Sequence, residues 1–386
     1  MKKIIKNGYV WDGQKFAVKD IVINNEMIDK VADSCEGSFD EVINAKSKYV
    51  LPGIIDCHVH LSMDAGSHPM ATLSQGSESE ALLEAVLSAE KIIKSGITTV
   101  RDCGSLGFEI LSLRDEVNKG RFKGPRIFAC GKAIKITGGH FIGRVTDGID
   151  DARKAAREMI EAGADFLKFM GSGGLGKIGE QPGLVELDQD EIEIAVKQGR
   201  KHDMASATHA HGKQSMLNAL NAGTTTLEHC TFMDQEVIDK ILEKDVFVVP
   251  TFAPYLLISE KGAEAGVSDY MVNMAKQVYK EKIPRFRKAY NAGIKIAFGR
   301  DAGAPFTKHE DFIVEMKAME SAGMSRKDII TSATENAARA LKLWDKIGSI
   351  EKGKYADIIL VDDKPLDDFD NFKKIFKVIK SGEEII

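Results

Sequence analysis

The sequence predicts an α/β protein, a (β/α)8 TIM barrel with a small β-sandwich domain formed by its N- and C-terminal segments. Three observations predict it: helical and strand-like runs alternate through the middle of the chain, eight candidate strands can be counted there, and the two ends are strand-rich and unlike the middle. The chain has 386 residues, more than the about 250 of a typical barrel, which leaves room for a second unit. We expect that unit at residues 1–52 and 347–386, with the catalytic barrel at 53–346.

The elements follow in order. "KIIKNGYVWDG", "FAVKDIVINNEMIDKVA" and "VINAKSKYVLPGIID" read as short strands, with Asn7-Gly8 and Asn24-Asn25 as hairpin-turn signals. Barrel strands are expected to open at Ile54, Thr98, Ile127, Phe166, Ala205, Thr225, Phe247 and Ile296. Between them lie amphipathic helical runs such as "ESEALLEAVLSAEKIIKSG", "DARKAAREMIEAG", "DEIEIAVKQGRKHD" and "DQEVIDKILEKD". The third strand is the least regular, because "GPRIFACGKAIKITGGH" is long and Gly-rich after its apolar start. An open doubly wound sheet competes with the barrel, but no GxGxxG loop follows the first strand. "GSIEKGKYADIILVDDKPLDD" and "FKKIFKVIKSGEEII" return to strand character at the end.

Composition narrows the function classes. A formal charge of −5, with 43% hydrophobic and 29% charged residues, is that of an ordinary globular protein and leaves no basic footprint for nucleic acid. Five scattered cysteines with no CxxC pair read as reduced thiols. The N-terminus lacks the apolar core of a signal peptide, and no run approaches the roughly 20 apolar residues that cross a bilayer. A cytoplasmic protein with no membrane partner is the expectation.

Chemistry in a barrel of this kind sits at the C-terminal strand ends. The first strand ends in "DCHVHL", where His58 and His60 are two residues apart and point the same way, a spacing that lets both hold one metal ion. Lys168 lies in the fourth strand, His209 ends the fifth, Glu228 and His229 end the sixth and Asp301 ends the eighth. Each has a plain structural reading: core histidines, a helix-capping aspartate, a lysine reaching to the barrel mouth. Their convergence on one rim favours a metal site. Lys168 is flanked by Phe166, Leu167, Phe169 and Met170, and such surroundings disfavour a charged ammonium. A free amine there can add carbon dioxide and become a carbamate, which serves as a long carboxylate able to bridge two metals.

With these residues in place, the chain resembles the amidohydrolase superfamily, and within it the prolidase-like Xaa-Pro and Xaa-Arg dipeptidases and the carboxypeptidases. "LPGIIDCHVHL", "SGITTVRDCG", "GPRIFACGKAIKITGGH", "FLKFMGSGG", "THAHG", "TLEHC" and "FGRDAG" occur in the family's order, and "TGGH" and "KFMGSGG" point to the prolidase-like branch. The resemblance implies two divalent metal ions, zinc, with His58 and His60 on the more buried one and His209 and His229 on the other. It also implies that carboxylated Lys168 bridges the pair and that Asp301 is both a ligand of the first metal and the catalytic acid and base. His140 and His211 are implied to bind the substrate's carbonyl or carboxylate, although many relatives carry tyrosine at the position of His211. The family usually has threonine where this chain has Arg300. The implied reaction is cleavage of the amide bond of a dipeptide or N-acyl amino acid by a metal-bridging hydroxide, in a homo-oligomer.

Three alternatives stand beside this reading. One is hydrolysis of another amide, carbamate, urea or lactam. A mononuclear deaminase is the second, although "HAHG" lacks the glutamate that such enzymes carry after the fifth-strand histidine. The third is a catalytically silent barrel used for binding or assembly. Tyr255, Arg144, His68 and the loop after Gly171 are candidates to line the pocket.

Overall fold

A computed structural model describes residues 1–175 and 179–386. Its N-terminal strands are β1 (Lys2–Trp11), β2 (Phe16–Asn24), β3 (Met27–Ala32), β4 (Glu41–Asn44) and β5 (Tyr49–Pro52). The barrel follows with β6 (Ile54–Val59), β7 (Ile97–Asp102), β8 (Arg126–Ala129), β9 (Ala133–Lys135), β10 (Gly143–Val145), β11 (Phe166–Met170), β12 (Ala205–Ala210), β13 (Thr226–His229) and β14 (Phe247–Val249). The chain closes with β15 (Ile358–Val361), β16 (Ile375–Lys380) and β17 (Glu383–Glu384).

The two chain ends share one sheet, as the sequence predicts. Among the described residues its order is β17-β16-β15-β5-β1-β2-β3, with β4 beside β1. β15 joins β5 antiparallel through Ile359↔Leu51 and Leu360↔Val50, so the C-terminal strands dock directly on the N-terminal ones. The inward side chains Ile5, Val10, Ile21, Ile23, Val50, Ile358 and Leu360 pack into one apolar cluster.

Asn24-Asn25 makes the expected hairpin, with Asn25 at φ 54°. Asn7-Gly8 does not. β1 runs through it with a bulge between Ile5 and Gly8, and Asn7 has φ 60°. A Cβ on Gly8 would lie 2.6 Å from Val50 Cγ2, so the glycine is needed for the close approach of β5 and not for a turn.

The barrel strands pair in parallel as β6-β7-β8 and as β10-β9-β11-β12-β13-β14. Ile54, Phe166, Ala205 and Phe247 open strands as expected, and Ile97, Arg126 and Thr226 do so one residue from the expected place. The irregular third segment is split into β8 and β9, with Gly131 at φ 69° at the break, and the short β10 follows it. The eighth strand, expected from Ile296, is reduced to two isolated bridges, Val248↔Ile296 and Val59↔Ala302. The segment's polar groups are shared with the neighbouring π-helical turn Ser332–Asn336: Phe298 N donates to Ser332 O and Asn336 Nδ2 donates to Ile296 O. Gly299 lets it press inward, since a Cβ there would lie 2.4 Å from Val249 Cγ1. The barrel still closes, through Cys57 N to Phe298 O and His60 N to Ala302 O.

Helices cover the barrel where the pattern places them. Glu78–Lys94 starts at a reciprocal cap, in which the Ser77 hydroxyl accepts from Glu80 N while Glu80 Oε2 accepts from Ser77 N. The helix before the last barrel segment is longer than the "RFRKAYNAG" run suggests, spanning Asp269–Asn291 with Pro284 inside it. The five cysteines are all buried and unbridged. Among the described residues, no helix is long and apolar enough to cross a membrane.

Candidate active site

Strand register accounts for most of the site. Lys168 pairs with Ala207 across β11 and β12, so His209, two residues on, faces the same way as Lys168. Ala207 in turn pairs with Thr226 and His209 with Glu228, which puts Thr226 and Glu228 on that face too. Alternation alone would turn His229 away. It has φ 70°, however, and ends the strand, and its ring lines the same cavity. Thr251 at φ 51° and Asp301 at φ 58° share this left-handed backbone, a strained conformation for non-glycine residues that gathers at functional sites.

The rim carries two adjoining groups of ligand atoms. His58, His60 and Asp301 form one, and His209, His211 and His229 the other; the atoms of each lie within 4.8 Å of one another. Asp301 Oδ1 is 3.6 Å from His58 Nε2 and 3.4 Å from His60 Nε2. The ring centroids of His58 and His229 are 5.0 Å apart, which links the groups. Lys168 acts electrostatically on His58 and Asp301 of the first group and on His209 and His229 of the second. Its Nζ is buried and has no hydrogen-bond partner among the described residues.

Each ring is fixed through its remote nitrogen, which decides the nitrogen left for a ligand. His58 Nδ1 meets Glu228 Oε2 at 2.8 Å, His60 Nδ1 meets Gly104 O at 2.9 Å and His229 Nδ1 meets Thr251 Oγ1 at 2.6 Å. His209 instead holds Gly173 O through Nε2 at 3.3 Å, leaving Nδ1. His140 Nδ1 is 2.6 Å from Glu180 Oε1, and its ring stacks on His209 with centroids 4.5 Å apart. His211 differs, with Nδ1 at Thr231 Oγ1 (2.7 Å) and Nε2 at the Tyr255 hydroxyl (3.1 Å).

The electrostatics suit metal binding. Burial, followed by the crowding of neighbouring imidazoles and Lys168, holds His209 and His229 well below the usual imidazole range, so both offer neutral lone pairs. Burial lowers His58 to about 4, although the Asp301 charge works the other way. For Asp301, burial works upward but is outweighed by His58, His60 and Lys168, which hold the carboxyl well below its ordinary range. Glu228 is likewise held down to about 2, against burial, by Arg101 and by the bond from His58. Buried imidazoles with prepared lone pairs, a carboxylate and an unpartnered amine form a donor set that fits divalent ions.

Among the pocket candidates, Tyr255 and His68 line this cavity, and Leu175 does so from the loop after Gly171, where residues 176–178 lie outside those described. Arg144 does not line it. Its guanidinium is tied to Glu158 at 2.7 Å and Asp151 at 2.8 Å, at a separate surface hollow. Arg300 also points away from the cavity: Nε donates to buried Asp56 Oδ2 at 2.6 Å and the Nη atoms to the carbonyls of Lys308 and His309. The orienting roles of Glu228, Glu180, Thr231 and Thr251 went unassigned in the sequence. Glu228 alone left a signal, as a carboxylate beside His229 at the end of the sixth strand.

Residues 49–385 match the model of the amidohydrolase family. This chain belongs to that family. A solved structure described as a Xaa-Pro dipeptidase with methionine bound in the active site is 33% identical, with a TM-score of 0.92, over 100% of this chain and 99% of the other. A prolidase complexed with N-methylphosphonate-L-proline is 27% identical, also with a TM-score of 0.92 and the same coverage. Ochratoxinase from Aspergillus niger is 24% identical over 96% of this chain and 84% of its own length. This amidohydrolase is therefore a metal-dependent hydrolase of C–N bonds with a prolidase-like fold, and its two ligand groups supply residues for a metal cofactor.

The Glu228 network carries its own prediction. Arg101 and Glu228 are both buried, and Arg101 Nη2 donates to Glu228 Oε1 at 2.7 Å. Glu228→Gln leaves the guanidinium uncompensated, so this amidohydrolase should lose ~3–5 kcal/mol of stability and bind metal about 10–100-fold more weakly through a loosened His58. Denaturation and metal titration of the variant check both values.

Proposed function

We propose that this amidohydrolase cleaves the amide bond of dipeptides or N-acyl amino acids, using two divalent ions, zinc in our reading. His58, His60 and Asp301 would hold one, His209 and His229 the other, with Lys168 bridging them as its carbamate. One observation carries the reading: a lysine amine, buried and without a hydrogen-bond partner among the described residues, acts on both ligand groups. An ammonium left there would be costly, whereas a carbamate would turn it into an anionic ligand for both ions. The relatives described as a Xaa-Pro dipeptidase and as a prolidase support a peptide-like substrate.

When bound, such ions supply an activated water and a Lewis acid for the scissile carbonyl. The chain's own groups do the rest. Asp301 would take a proton as the amide is attacked and return it to the departing nitrogen. His140, with Nδ1 fixed by Glu180, would turn Nε2 toward the substrate's carboxylate. Met63, Met170, Met271, Phe141 and Ile258 line the cavity, a wall that excludes water and receives an apolar side chain.

The test is metal content per chain, together with amino-acid release from a panel of dipeptides and N-acyl amino acids, after growth with zinc and bicarbonate. Two metals with turnover of some members is the expected result. Two metals without release from any member would keep the site and redirect the search to carbamates, ureas and lactams. A single metal would revive the deaminase reading.

A further inference from the structure

The reading above leaves Tyr255, a buried phenol on the cavity wall, without a task. After β14 the chain crosses the rim as Pro250–Phe252 and enters the helix Ala253–Lys261, so that Tyr255 lies in its first turn. Its hydroxyl is 3.1 Å from His211 Nε2, and its ring meets the His211 ring edge-on at 5.8 Å. Both nitrogens of His211 are thus engaged, by Thr231 and by Tyr255, which separates it from His209 and His229 despite its place beside them. When the Thr231 hydroxyl donates to Nδ1, Nε2–H donates to the Tyr255 oxygen. The phenolic proton is then left for an acceptor inside the cavity.

The segment bearing Tyr255 is fixed from beneath by two buried charged residues. Glu315 accepts from Phe252 N at 2.8 Å and from Ala253 N at 2.7 Å. Lys282 Nζ donates to the carbonyls of Pro250 and Thr251 and sits 4.9 Å and 5.0 Å from the ring centroids of Phe252 and Tyr255. Groups so costly to bury hold a structure in place only when fully bonded, and these bonds all converge on one short stretch. That stretch also carries Thr251, which orients His229.

We propose that Tyr255 is a further catalytic residue of this hydrolase: its hydroxyl, aimed by His211, donates a hydrogen bond to the scissile carbonyl oxygen as negative charge develops there. The assignment rests on the amide-cleaving reading. The hydroxyl lies within hydrogen-bond reach of His211, and Tyr255, His209 and His229 line the same cavity, so a carbonyl held in that cavity faces all three. Burial, reinforced by the charges of Asp301, Glu180 and Glu315, pushes the phenol well above its ordinary range, so it remains a donor. His211 is its positioning residue.

Tyr255→Phe keeps the ring and its packing, so it isolates the hydroxyl. In the metal-loaded enzyme kcat should fall by about 10²–10³-fold, the cost of removing one such donor, with KM little changed and metal content equal to wild type. An N-phosphonylated amino acid, which mimics the tetrahedral state, should bind the variant more weakly by calorimetry, while the product amino acid binds as before. His211→Ala should lower kcat similarly, and combining it with Tyr255→Phe should lower kcat no further, a coupling that a purely structural role would not produce. Wild-type kcat in Tyr255→Phe, or a change confined to KM, overturns the assignment and leaves amide cleavage intact. Failure of the wild type to release amino acid from any panel member overturns the amide reading, and this assignment falls with it.

Discussion

Lys168→Ala is expected to abolish turnover, lowering kcat by at least ~10³-fold, equivalent to the several kcal/mol of transition-state stabilisation that bound metal supplies. Metal content should fall from two ions per chain to one or none, because the groups at His58 and at His209 would lose their shared ligand. Millimolar acetate or propionate should restore part of the activity, since a small carboxylate can enter the vacated space and replace the carbamate. Stability should move the other way. Lys168 is about 1% exposed and its amine has no hydrogen-bond partner among the described residues, so Lys168→Met should stabilise the metal-free protein by ~1–3 kcal/mol, the cost of a buried unsatisfied polar group. Calorimetry of metal-free samples and metal analysis of loaded ones check the two halves separately. Undiminished turnover in Lys168→Ala would sink the bridging role.

What could be read from the sequence divides along a physical line. Positions set within one strand were legible: His58 and His60 share a face because they are two apart, and Lys168 and His209 were placed in the fourth strand and at the end of the fifth, although the register that turns them to one side comes only from the fold. Alternation could not give the direction of His229, which depends on a backbone φ of 70°. Partners brought together only by folding were silent as well. Glu180 reaches His140 from 40 residues away, and Asp56 claims Arg300 from 244 away, so neither pairing leaves a local pattern. The eighth strand had the right composition, but Phe298 N and Ile296 O are bonded to Ser332 and Asn336 instead of a strand ladder. Asn7-Gly8 misled for a similar reason: a dipeptide suited to positive φ serves a bulge as well as a turn, and only the approach of Val50 distinguishes them.

Asp301→Asn should cost ~10²–10⁴-fold in kcat, the range for losing a positioned acid-base group, and kcat/KM should fall in parallel if the proton transfer belongs to the transition state. The amide is nearly isosteric and retains one oxygen toward His58 and His60, so at saturating zinc the variant should still carry two ions. That combination, full metal with little turnover, separates a proton carrier from a simple ligand; a variant that regains wild-type kcat once zinc is saturating would reduce Asp301 to ligation alone. The role also depends on Lys168. Its positive charge is among the contributions that hold Asp301 well below the ordinary carboxylate range, and conversion to an anionic carbamate reverses the sign of that contribution. Carboxylation would then also complete the metal site. The two residues should therefore behave as one unit: Lys168→Ala combined with Asp301→Asn should lose no more activity than Lys168→Ala alone, and additive losses would show that they act independently.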